Sequence, residues 1–307
     1  MTGVASPHRA GPAHDAPREV DIAGRDRLRC AGEFLRSVVV PDAFAALESP
    51  PVDLLRLNRK VAWAGLALVI AVSWAYLLWM AKEMYGMDPS CPMHNVGSSW
   101  TFDYFWMTFT MWTVMMVAMM TPSVAPMVLT FTTVNTRRAQ AGRIAVPTWI
   151  FLSGYLVIWT AFSLLATGLQ WALHAAALLA PVTLSVGPLL GGILLAAAGL
   201  YQFTGIKNAC LDKCTSPLGF LMTEWREGPL GAFVMGLRHG VFCTGCCAFL
   251  MILLFVAGVM NLLWIALLGA LVLIEKLAPA HRLTARVFGF IFVLAGVVLT
   301  AEAYFRS

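Results

Sequence analysis

The sequence predicts an all-α fold: a polytopic transmembrane helix bundle of about seven spans with its N-terminus in the cytoplasm. Three observations predict it. Of 307 residues, 59% are apolar and 12% charged, and the mean hydropathy is +0.76. That is more apolar sequence than a soluble domain of this size needs. The apolar residues fall in long runs, and roughly 20 such residues cross a bilayer core. Finally, Lys and Arg are distributed very unevenly between the loops.

Residues 1–60 are read as a basic cytoplasmic tail and 61–307 as the transmembrane helical domain. The tail begins "MTGVASPHRAGPAHDAPREVD", a polar, Pro-containing stretch expected to be disordered. It continues into "RDRLRCAGEFLRSVVV", which has the pattern of a short basic amphipathic helix on the inner membrane surface. It lacks the short apolar core of a signal peptide. The expected spans are 61–81, 103–121 with a continuation to about 134, 147–171, 187–206, 232–258, 261–277 and 286–304. Residues 172–186 form an apolar connector. With seven spans and a cytoplasmic N-terminus, 19 of the 21 Lys and Arg residues lie on the cytoplasmic side, and only Lys82 and Arg306 do not. The net charge of +5 therefore reflects topology, and no nucleic-acid partner is expected. This reading implies a multi-pass membrane protein.

Cysteine, methionine and histidine carry the chemistry. Thiolate and thioether ligands select soft ions such as Cu(I), while imidazole also suits zinc and iron. The outer loop contains "DPSCPMHNVGSSW", with Cys91, Met93 and His94 within four residues and Pro92 stiffening the turn. No second external cysteine is available to pair with Cys91. The second span contains "FWMTFTMWTVMMVAMMTPSVAP". Met107, Met111, Met115 and Met119 recur every four residues and form one slowly drifting stripe, which Met116 and Met120 widen. Methionine also packs well in irregular helix interfaces, and that is the alternative reading. Pro122 and Pro126 are expected to interrupt this helix.

The fifth span contains "GLRHGVFCTGCCAFLM". Cys243 and Cys246 share a helix face, and His239 lies one turn before Cys243. Adjacent helical residues point about 100° apart, so Cys246 and Cys247 are expected to face different ways. The glycines Gly236, Gly240 and Gly245 allow close approach of another helix. At the end of the fourth span, "YQFTGIKNACLDKCTSP" places Cys210 and Cys214 four residues apart beside Lys207 and Lys213. Tyr201, Gln202 and Lys207 either belong to that site or anchor the span at the interface. Glu275, before Lys276, is read as the solvated end of the sixth span. Cys30 is isolated and is assigned no role.

The segments "MWTVMMVAMMTPSVAP", "YQFTGIKNACLDKCTSP" and "GLRHGVFCTGCCAFLMILLFVAGVMNLLWIALLGALVLIEKLAP" resemble the bacterial domain-of-unknown-function family 2182, described as predicted metal-binding integral membrane proteins. The resemblance covers roughly residues 61–300 and implies a metal-binding membrane protein without naming the metal.

The residues and the resemblance together point to a protein that binds and transports, or hands over, a soft transition metal, with copper(I) preferred. Its partners would be the lipid bilayer, the metal ion, and a metallochaperone or membrane metalloenzyme. No phosphate-cradling loop is present, so transport would be passive or secondary. Two other readings stand beside it. One is a membrane thiol–disulfide oxidoreductase using quinone. The other is an assembly or structural subunit of a membrane metalloenzyme, whose methionines and cysteines only pack.

Overall fold

A computed structural model describes residues 59–86, 100–180 and 184–306. Nearly all of the tail, and with it Cys30, lies outside the described residues, as do Cys91, Met93 and His94. Among the described residues the secondary structure is helical: α1 Arg59–Gly86, α2 Phe102–Gln140, α3 Thr148–Ala175, α4 Pro188–Tyr201, α5 Gly205–Thr215, α6 Pro217–Glu224, α7 Gly228–Ile252, α8 Leu254–Ala257, α9 Leu262–Leu277 and α10 His281–Arg306. Among the described residues, a β-bridge joins Leu179 to Val186 within the apolar connector.

Each of the seven apolar runs is helical, but they differ in length. Among the described residues, five helical stretches are long and apolar enough to cross a membrane: Lys60–Lys82, Phe102–Gln140, Thr148–Ala175, Gly228–Ala257 and His281–Phe305. α4 and α5 make a further span only as a pair, bent by 66° at the break between them. α9 has 16 residues, or about 24 Å at 1.5 Å per residue. That falls short of the roughly 30 Å of hydrocarbon in a bilayer.

α2 is one continuous helix of 39 residues with Pro122 and Pro126 inside it. The expected interruption is absent. Neighbouring groups support the backbone through this stretch. The Ser123 hydroxyl donates to the Met120 carbonyl at 2.9 Å, and the Tyr155 hydroxyl reaches the same carbonyl at 3.3 Å. Thr130 donates to the Pro126 carbonyl at 2.8 Å. The Thr101 hydroxyl caps the N-terminus of α2, where Asp103 occupies the first turn, and Arg137 and Arg138 occupy the last. Both ends therefore suit the helix dipole.

The connection to α3 turns at Gly142, where φ is +76°. The Asn135 side chain pins it, donating to the Val146 carbonyl at 2.6 Å and accepting from the Val146 amide at 3.3 Å. At the far end, the Trp112 indole donates to the Gln170 side-chain amide oxygen at 2.7 Å. α2 and α3 thus lie antiparallel and in fixed register.

Two crossings bring backbones into contact. A Cβ at Gly236 of α7 would fall 2.0 Å from the Phe151 carbonyl oxygen of α3, and one at Gly154 would fall 2.2 Å from that of Phe233. α4 meets α10 in the same manner, at Gly192 with Gly296 and at Gly199 with Gly289. Small residues permit this spacing, as in packed membrane helices. Large apolar side chains instead stand exposed along α1, α3 and α10, among them Trp79, Leu165 and Phe290.

Candidate metal centre

Four helices bring sulfur and charge together: α2, α5, α7 and α9. α7 supplies three of the thiols. Cys243, Cys246 and Cys247 are all buried, and every cysteine among the described residues is a free thiol. Cys246 and Cys247 diverge as helix geometry requires. The Cys246 sulfur lies 3.9 Å from that of Cys214 on α5. The Cys247 sulfur lies 3.9 Å from the Met120 thioether on α2. Both also reach the Cys243 carbonyl, at 3.1 and 2.8 Å. Cys243 itself faces a third direction, with the Tyr155 hydroxyl at 3.2 Å and the Lys276 ammonium at 3.0 Å.

α9 supplies the charge. Glu275 and Lys276 are 2% and 8% exposed, so the reading of Glu275 as a solvated helix end is corrected. Consecutive residues of one helix point apart, and here both directions are interior. Glu275 takes the Lys207 ammonium at 2.7 Å and the Gln202 amide at 3.1 Å. Lys276 donates to the Ser123 hydroxyl at 3.0 Å as well as to Cys243. No carboxylate pairs with Lys276 among the described residues. An ammonium out of water needs compensation. Its contacts are the Cys243 sulfur and the Ser123 hydroxyl.

The remaining candidates fall around this cluster. Cys210 is half-buried on α5, and a Cβ at Gly245 would fall 2.8 Å from its sulfur. Tyr201 donates to the Gly245 carbonyl at 2.5 Å, on the same side. His239 is 2% exposed. Its Nδ1 atom has no hydrogen-bond partner among the described residues, and its ring stacks on Tyr155 at 5.8 Å. Met111, Met115, Met116, Met119 and Met120 are all buried, whereas Met107 is 39% exposed. Met119 packs against Gly269 of α9. Met111 and Met115 lie about 13.5 and 7.5 Å from Met120 along α2. The helix therefore presents Met120 to a cysteine. Of the four-residue stripe, Met119 lies about 100° round the helix from Met120, Met107 and Met115 about 140°, and Met111 on the opposite face.

Two residues in this cluster carried no sequence signal. Tyr155 sits in an ordinary apolar run. Lys276 resembles any basic residue at a helix end. Only its place three residues before Pro279 of "EKLAP", in a helix too short to reach water easily, could have marked it.

Chemically, the cluster is a set of two-point sites. Among the described residues, no three or more His, Cys, Asp and Glu side chains form a ready coordination set. Two thiolates 3.9 Å apart can still share one ion. Metal–thiolate bonds of about 2.3 Å would close on them at roughly 115°. An ion held by few ligands is also released more readily than one in a closed tetrahedral site.

Comparison with known proteins gives one family. A family described as a copper chaperone, PpoB2, matches residues 109–299. The match runs from the first third of α2 into α10 and takes in every cysteine just described. It specifies copper where the resemblance to family 2182 implies a metal of no stated identity. No curated protein matches, and no solved structure matches.

Proposed function

The chain belongs to the PpoB2 copper chaperone family, and from that premise we propose that it is a multi-pass membrane protein that binds Cu(I) at the buried sulfur cluster and hands it to a partner. One observation carries this reading: Cys246 of α7 and Cys214 of α5 meet at 3.9 Å, with Cys247 and Met120 meeting at 3.9 Å beside them. Paired thiolate and thioether sulfurs suit a soft monovalent ion. The free Nδ1 of His239 and the half-buried thiol of Cys210 are the next ligands outward.

Five apolar helices favour a bilayer location. A seven-span bacterial inner-membrane topology with the N-terminus inside puts 19 of the 21 basic residues in cytoplasmic segments of the sequence, of which Lys207 and Lys276 are buried in the protein. In that topology Cys91, Met93 and His94 receive the ion on the outer side, and Cys210 lies toward the inner side. The recipient is a metallochaperone or a membrane metalloenzyme.

The test is anaerobic purification in detergent followed by elemental analysis. The unaltered chain is expected to retain copper. The double change Cys214→Ser and Cys246→Ser is expected to lose it while keeping the helical circular dichroism. A double variant with its full copper complement overturns this ligand set.

A further inference from the structure

α5 is 11 residues long and carries Cys214, one of the two thiols that meet at 3.9 Å. Its direction is not inherited from α4, because the chain bends by 66° between the two helices. Apolar packing alone does not set it either. The residues that α5 buries are Lys207, Leu211 and Cys214, one face at steps of four and three. Only Leu211 among them is a large apolar side chain. Lys207 stands at one end of that face and Cys214 at the other, about 10.5 Å apart along the axis.

The partner of Lys207 is on α9. The Lys207 ammonium donates to the Glu275 carboxylate at 2.7 Å, and both side chains are buried. The other oxygen of that carboxylate accepts from the Gln202 side-chain amide at 3.1 Å. Gln202 ends α4, and Lys207 lies in the first turn of α5. One carboxylate therefore grips the chain on both sides of the bend. Between them the Thr204 hydroxyl accepts from the Lys207 amide at 3.3 Å and donates to the Tyr201 carbonyl at 2.8 Å. On its exposed side α5 is tied again, by Asp212 to His281 and Arg282 of α10, where water weakens the attraction.

From this geometry we infer that Lys207 and Glu275 are positioning residues: the pair sets the bend between α4 and α5 and so holds Cys214 against Cys246. The inference rests on the copper reading and deepens it, by naming what aligns the two thiols. Apolar contact has no direction, whereas a hydrogen-bonded ion pair does. Buried ion pairs add little net stability over apolar groups of the same volume, and their best-attested use is to fix one arrangement. A two-thiol site needs that property. Two metal–thiolate bonds of about 2.3 Å span at most about 4.6 Å. The present separation of 3.9 Å leaves about 0.7 Å before one ion no longer reaches both sulfurs.

The experiment reads thiol geometry and copper binding separately, in the purified full chain in detergent. Copper-free protein is equilibrated with glutathione buffers, and the Cys214–Cys246 disulfide is quantified by mass spectrometry of the linked peptides. Its equilibrium constant gives the effective concentration of one thiol at the other. Cu(I) affinity is measured anaerobically by chelator competition. Lys207→Met with Glu275→Leu replaces the pair by apolar groups and leaves no lone buried charge, so the helical circular dichroism is expected to be retained. Lys207→Gln with Glu275→Gln is a second neutral pair of similar length. Lys207→Glu with Glu275→Lys restores the pair in reverse. The apolar variant is expected to lower the effective concentration about tenfold and to weaken Cu(I) binding about tenfold. The Gln pair is expected to move both in the same direction, and the reversed pair to bring both back to within about threefold of the unaltered chain. An unchanged effective concentration in either neutral variant, folded, overturns the inference, as does a reversed pair no better than the apolar one. If the unaltered chain binds no copper while the effective concentration falls as expected, the copper reading fails and the positioning role stands.

Discussion

Met120 and Met107 lie on one helix, yet Met120, at its middle, meets a cysteine, whereas Met107, near its N-terminus, is 39% exposed. The pair therefore separates ligation from packing. Leu conserves the volume of Met, and such swaps usually cost less than about 1.5 kcal/mol. Met120→Leu is expected to weaken Cu(I) binding about tenfold, near the lower end of the effect of losing one ligand or its support. Met107→Leu is expected to leave binding unchanged. Competition with a Cu(I) chelator measures both, and equal affinities in the two variants would make the Met120 thioether a packing group. At this scale the sequence was only partly legible. The residue types were visible, as was the divergence of Cys246 and Cys247, because both follow from composition and helix geometry. The pairing of Cys246 with Cys214 joins residues 32 apart in sequence, and that of Lys276 with Cys243 joins residues 33 apart. Such partners are chosen by helix packing, which no local pattern encodes.

Between elements, the α3–α7 crossing fixes where Cys243 meets Tyr155. Its backbones touch at Gly154 and Gly236. Gly236→Ala is expected to destabilise the protein by about 1–3 kcal/mol through overpacking and to weaken Cu(I) binding by displacing α7. At Gly65 of α1, by contrast, a Cβ would meet nothing within 4 Å among the described residues. There Gly65→Ala is expected to be neutral or to stabilise by up to about 1 kcal/mol, the helix-propensity difference. Thermal melting in detergent distinguishes them, and equal shifts would remove the case for a close crossing. The elements themselves were the most legible level, since long apolar runs become helices. The exception is the expected interruption at Pro122 and Pro126. A proline removes one donor, and in a helix buried on several sides that loss alone does not decide whether the helix breaks. The short α4 and α9 were also less visible, because hydropathy reports the extent of an apolar run and not where a helix bends or ends.

For the whole molecule, topology would set the direction of any copper transfer of the kind proposed. The 19-to-2 division of basic residues predicts that Cys91 is labelled from outside intact cells by an impermeant thiol reagent. Cys210, the half-buried thiol of α5, is expected to be labelled only after the membrane is opened. Mass spectrometry of the two peptides reads the result. Labelling of both from the same side would overturn the seven-span arrangement. The outer and inner stations would then share one face of the membrane.

The length of α2 has an electrical consequence. Arg138, near its C-terminus, is partly exposed and paired with Glu227. Met120, beside the sulfur cluster, lies 18 residues earlier in the same unbroken helix, or about 27 Å along its axis. In a bilayer of roughly 30 Å oriented as proposed, an ion travelling between those levels crosses a substantial share of the membrane potential. Half of a 100 mV drop acts on a monovalent ion with about 1.2 kcal/mol. Copper occupancy would then respond to the energised state of the cell as well as to the concentration of copper, by a factor of about seven.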